Sequence, residues 1–128
     1  MTVGMQVIEN GKIVDSSSIV PVRIVNDVTG SRATDGTEYY NTSDKTLYVS
    51  INILAQASTV AGFAFLLTYI DGVEYKLCGI APIGAVPAGF NLYDEVNLII
   101  APSSRYSAVV NLGGLNSALA VAKWIESY

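Results

Sequence analysis

The sequence predicts an all-β domain, an antiparallel β-sandwich of jelly-roll-like form with about nine strands and an N-terminal β-hairpin. Three observations predict it. Turn signals recur at short intervals, roughly every 8–12 residues. The runs between them alternate with the period of 2 that belongs to half-buried strands. No segment carries a convincing long helical pattern.

The elements follow in order. Asn10-Gly11 lies between "MQVIE" and "KIVD", a strong short-range hairpin signal because both central residues tolerate positive φ. The polar run "DSSSIV", residues 15–20, links this hairpin to the remainder, and Pro21 places its strand at an edge. "DVTGSRATDG" is a second connection. Next comes "TEYY", then the polar turn from Asn41 to Asp44, then "TLYVSINI", in which Leu47, Val49, Ile51 and Ile53 alternate with Tyr48, Ser50 and Asn52. Thr37 to Asn41 is expected to be the partner strand across that turn, with Tyr39 and Tyr40 on opposite faces. "FAFLLTYI" is apolar on both faces, which suits a central strand or one against a neighbouring subunit. Asp71-Gly72 joins it to "VEYKLCGI" as a second hairpin. Pro102 to Ser104 separates "EVNLIIA" from "RYSAVVNL", where Tyr106, Ala108 and Val110 share a face. The C-terminal "LNSALAVAKWIESY" has helical propensity with Asn116 or Ser117 as N-cap, but its alternation favours a strand. That alternation sets Leu119, Val121, Lys123 and Ile125 opposite Ala118, Ala120, Ala122 and Trp124. The organisation expected is an N-terminal hairpin or arm over residues 1–28 and a sandwich over 29–128, compact overall.

Composition limits the functions. The chain has 128 residues, enough for one domain with a real core. Charged residues are 14%, against roughly 25% in typical soluble domains, while apolar residues are 51% and mean hydropathy is +0.42. The apolar stretch from Leu77 to Tyr93 is broken by Pro82 and Pro87 and falls short of the roughly 20 residues of a membrane span. The N-terminal residues do not read as a signal peptide. So few charges over so apolar a chain point to subunit contact, since obligate interfaces resemble a core cut in half. A formal charge of −4 argues against nucleic-acid binding.

Catalytic and metal chemistry has little to work with. Histidine is absent, so Ser-His-Asp and Cys-His arrangements are impossible and zinc or copper is not expected. The single Cys78 is expected to be buried and inert. Asp94 and Glu95 are adjacent, so on a strand they face opposite ways and do not share a substrate. The loop "DVTGSRATDG" lacks the order of a calcium loop. "GIAPIGAVPAG" has neither a lysine nor a phosphate-binding glycine pattern. No cofactor, no metal and no enzymatic activity are expected. "FNLYDE" sets aromatics beside acids and an asparagine, a mix suited to sugar or protein recognition, and Phe90, Tyr93 and Asp94 are the candidate receptor or partner contacts. The plainer reading puts Phe90 and Leu92 in the core.

"SRATDGTEYYNTSDKTLYVSINI" resembles a motif recurrent in small bacteriophage tail and tail-fibre-tip proteins, through Arg32, Gly36, Thr37, Tyr39, Asn41, Ser43, Lys45, Leu47, Val49 and Ile51. "IIAPSSRYSAVV" is similar to that family's strand-turn-strand, with Ser-Ser-Arg where a glycine is usual, and "KWIES" to its terminal Trp-x-Glu. "VGMQVIENGKIVDSSSIVPVRI" is similar to the start of small phage tail proteins. The resemblance implies a non-enzymatic virion protein, usually a homotrimeric β-sandwich at the tail tip or fibre. It would be assembled in the host cytoplasm, with other virion proteins and a host-surface glycan or protein receptor as partners. A capsid decoration protein and a carbohydrate-binding module are the alternatives.

Overall fold

A computed structural model describes residues 7–9, 12–14, 24–57, 62–81, 91–114 and 116–128. Strand β1 (Val7–Glu9) pairs antiparallel with β2 (Lys12–Val14), with Glu9 opposite Lys12; the Asn10-Gly11 turn foreseen between them lies outside the described residues. The remaining strands are β3 (Val25–Asp27), β4 (Tyr39–Tyr40), β5 (Leu47–Gln56), β6 (Phe63–Ile70), β7 (Val73–Ile80), β8 (Asn91–Ile100), β9 (Arg105–Gly113) and β10 (Ala118–Ser127). They form two four-stranded sheets in the orders β3-β10-β5-β8 and β4-β9-β6-β7.

These orders have a simple origin. Strand β6 pairs with β7, β5 with β8, β4 with β9 and β3 with β10, so the chain is one long antiparallel ribbon closed at its β6–β7 tip. Rolling that ribbon brings β10 beside β5 and β9 beside β6, and every pairing in the two sheets is antiparallel. The result is a jelly roll. Strand β3 lies on the N-terminal side of the 28/29 boundary yet is bonded to β10, so residues 25–27 belong to the first sheet.

The core lies between the sheets. Leu47, Val49, Ile51, Ile53 and Ala55 from β5 meet Val96, Leu98 and Ile100 from β8 and Ala64, Leu66, Tyr106 and Ala108 from the second sheet. The inward set foreseen on residues 47–53 is correct, and Tyr106, Ala108 and Val110 share the inner side of β9. Strand β6 is central in its sheet, which explains why its sequence is apolar on both faces. The Asp71-Gly72 turn has positive φ at both residues, 53° and 79°, as a two-residue hairpin of matching twist requires.

Three expectations need correction. Residues 39–40 do not pair with β5; they pair with β9, and the polar turn at 41–44 carries the chain from one sheet to the other. The C-terminal segment is a strand, but a bulge between Val121 and Lys123 shifts its register against β5. That extra residue reverses the inside–outside phase, so Trp124 is fully buried rather than aligned with the outward alanines. Burying an indole is worth about 4–6 kcal/mol before conformational entropy is charged against it, which is reason enough for the bulge. Leu92 is 36% exposed at the end of β8 instead of sitting in the core; Phe90 lies outside the described residues.

Candidate functional site

Two polar sites stand out, one sealed and one open. The sealed site is a cluster around Glu126. Strand β10 turns this carboxylate inward, two residues beyond Trp124. Arg32, on the loop after β3, donates to it twice, from Nε at 3.1 Å and Nη2 at 2.9 Å. The Tyr106 hydroxyl on β9 donates to the same carboxylate and accepts from Trp124 Nε1 at 3.1 Å. The Arg32 guanidinium lies 4.6 Å from the centroid of the Tyr39 ring, which packs against Tyr106 and Trp124 at 5.6 and 6.2 Å. Tyr39 accepts the Ala33 N–H through its own hydroxyl at 2.6 Å. Of the adjacent tyrosines, then, Tyr39 packs inward and Tyr40 is 60% exposed, on opposite faces as foreseen.

Electrostatics make this cluster a fixed unit. Its hydrogen bonds to Glu126 hold Arg32 charged beyond the ordinary arginine range. Burial, then the Glu126 carboxylate, push the Tyr106 hydroxyl far above the ordinary tyrosine range, so it stays a neutral donor. A buried ion pair persists only where further hydrogen bonds support it, and the Tyr106 hydroxyl supplies one to Glu126. The Glu126 carboxylate, 7% exposed and taking three hydrogen bonds from Arg32 and Tyr106, is committed to the fold. The cluster ties the start of the sandwich to its last strand.

Asn41 does the same at the crossover into β5. It is fully buried. Its Nδ2 donates to the carbonyls of Lys45 at 2.8 Å and Ile100 at 3.0 Å. Its Oδ1 accepts from the Ser43 N–H and hydroxyl at 3.1 and 2.7 Å. Arg32, Tyr39, Asn41 and Ser43, named by the sequence motif, are therefore structural fasteners.

The candidate contacts part company. Tyr93 is 74% exposed on the outer face of the first sheet. Asp94 turns the other way: its Oδ2 accepts the Gly79 N–H at 3.0 Å, linking edge strand β8 to edge strand β7 of the facing sheet. Only glycine fits there, since φ is +138° and a Cβ would fall 2.0 Å from the Ala64 carbonyl oxygen. Asp94 is thus a staple between sheets. Cys78 beside it is buried, as expected, and burial followed by the Asp94 charge pushes its thiol up to about 11.

The open site is the outer face of the first sheet. Register sets Lys123, Asn52 and Glu95 in one row across β10, β5 and β8. Ala120, Leu54 and Tyr93 form the row on one side, and Ile125, Ser50 and Asn97 the row on the other. A shallow depression of about 420 Å³ lies here, lined by Asn52, Ile53, Tyr93, Asp94, Glu95 and Ala122. Glu95 accepts from Ser50 Oγ at 3.2 Å, and Lys123 is paired with Asp27 at 2.9 Å. Asn52 Oδ1 is buried and has no hydrogen-bond donor among the described residues. A second depression of about 350 Å³, lined in part by Tyr48, Ile99 and Ile125, lies toward the other end of the same face. The sequence pattern named Tyr93 but missed Asn52, which reads as one more outward residue of β5; only its place opposite Glu95 and beside the bulge at Ala122 distinguishes it. Among the described residues no group of three or more His, Cys, Asp or Glu side chains is disposed to hold a metal ion.

No protein-family model matches the chain, and no curated protein matches it. Among solved structures it is similar to part of dimeric latent PorU from Porphyromonas gingivalis, at 11% identity and a TM-score of 0.40. That similarity covers 80% of this chain and 10% of the other, and is too slight to bear on function.

Proposed function

We propose that this chain is a non-enzymatic structural subunit of a bacteriophage virion, placed at the tail tip or tail fibre. It works as a homotrimer in assembly and host-surface attachment. The observation that carries this reading is the convergence of three of the four sequence segments that resemble phage tail proteins. Arg32, Tyr39, Tyr106, Trp124 and Glu126 come from all three and meet in one cluster. The motif is then the signature of a scaffold, which suits a structural subunit better than an enzyme.

The oligomeric half of the reading rests on what the sandwich leaves uncovered. Val73, Tyr75 and Leu77 on edge strand β7 are 69%, 55% and 45% exposed, and the outward residues Phe63, Phe65 and Leu67 of β6 are only half-buried. Exposed apolar area of this extent marks interaction surfaces. A capsid decoration role shares the same scaffold and is favoured by the shallowness of the described depressions.

Light scattering on the full chain at micromolar concentration tests the subunit premise. The expected mass is three times 13.6 kDa. A stable particle of 13.6 kDa contradicts it. Mass spectrometry of purified phage particles tests the placement: presence as a stoichiometric component is expected, and absence overturns it.

A further inference from the structure

We propose that the depression over Asn52 is a binding site for a neutral, hydroxyl-rich ligand of the hexose class. The starting point is the unpartnered acceptor. Asn52 Oδ1 is buried with no donor among the described residues, in a molecule whose other buried amide, Asn41, has every position filled. Buried polar atoms are nearly always paired, so an acceptor left without a donor among the described residues is suited to one supplied by a ligand.

The surroundings specify that donor. Asn52 Oδ1 and the exposed Glu95 carboxylate, neighbours across the β5–β8 register, are both acceptors. The cation in the row, Lys123, is engaged by Asp27. The exposed Glu95 carboxylate lines the depression, so an anionic ligand is disfavoured there. Tyr93, 74% exposed at the rim, offers an aromatic face for the C–H side of a pyranose and a hydroxyl at its tip. Ala122, at the bulge, leaves room above Asn52. Acceptors without an available cation, beside an aromatic plate, match a donor-rich neutral sugar. The site is shallow, so a single sugar should bind at about millimolar strength. All its residues come from one chain, so the inference stands whether or not the protein is a trimer; in a trimer three such sites would act by avidity.

The test is a titration of the ¹⁵N-labelled full chain, followed by amide shifts, with glucose, galactose, mannose and N-acetylglucosamine. Inorganic phosphate, sialic acid and calcium chloride serve as comparison ligands. Saturable shifts at Asn52, Tyr93 and Glu95 with at least one neutral sugar, and none with the anions, are expected. Asn52→Leu and Tyr93→Ala should each weaken binding by roughly tenfold or more while preserving the rest of the spectrum. Silence with every neutral sugar overturns the proposal, as do shifts that persist undiminished in both variants or that calcium alone reproduces. Shifts at these amides on simple dilution without sugar also overturn it, since they mean that a second copy occupies the face.

Discussion

Asn41 and Asn52 lie eleven positions apart on either side of one crossover, and their side chains meet opposite fates. Asn41 faces the interior and uses both donors and its acceptor on Lys45, Ile100 and Ser43. Asn52 faces outward from the middle of a sheet, and its buried acceptor has no donor among the described residues. The same amide is a fastener in one place and, in the site proposed above, an acceptor open to a ligand's donor in the other. Saturation of hydrogen bonding, rather than residue type, separates the scaffold of this molecule from the face proposed to take a ligand.

The largest effect should come from the saturated side. Glu126→Gln leaves the Arg32 guanidinium, paired at 2.9 Å in the wild type, without its counter-charge in a mostly buried site. A loss of about 3 kcal/mol in denaturant unfolding is expected. A loss under about 1 kcal/mol would show the cluster to be ornamental. Asn41→Leu comes next, at about 2 kcal/mol, because the Ile100 carbonyl loses its buried donor. Asn52→Leu should act with the opposite sign, a gain of about 1 kcal/mol, since it removes an orphan acceptor and adds apolar area.

Two pH effects sharpen the contrast between sealed and exposed groups. Tyr106 has its folded pKa raised above its ordinary value of 10.0, by burial first and Glu126 second. Its contribution is therefore complete below that value and declines as pH rises past it, so alkaline unfolding should set in above about pH 10 and be delayed in Tyr106→Phe. Asp27, exposed and held by Thr29 and then Lys123, is lowered from 3.8 to about 2. Its contribution is present above 3.8 and lost as pH falls through 2. That loss should be small and should shrink in high salt, read from the side-chain carboxyl shift against pH.

The sequence made some of this legible and hid the rest for a physical reason. The β5 alternation and the Asp71-Gly72 turn are local signals, and both were sound because one strand's phase and one turn's φ values depend on neighbours in sequence. The pairing of residues 39–40 was not local: a jelly roll sends that segment to β9, more than sixty positions away, in preference to the strand that follows it. The phase of Trp124 was lost for a similar reason, since a single bulged residue inverts every later position in β10. Of the candidate contacts, Tyr93 stood out as an aromatic beside acids, whereas the role of Asp94 depended on Gly79 across the sandwich. Asn52 carried no signal at all, because what marks it is the lack of a donor among the described residues.

The most direct measurement replaces both asparagines by leucine, one at a time, and compares unfolding free energies. Asn41→Leu is predicted to destabilise and Asn52→Leu to stabilise. Loss at both positions, or gain at both, would contradict the division between a closed scaffold and an open face.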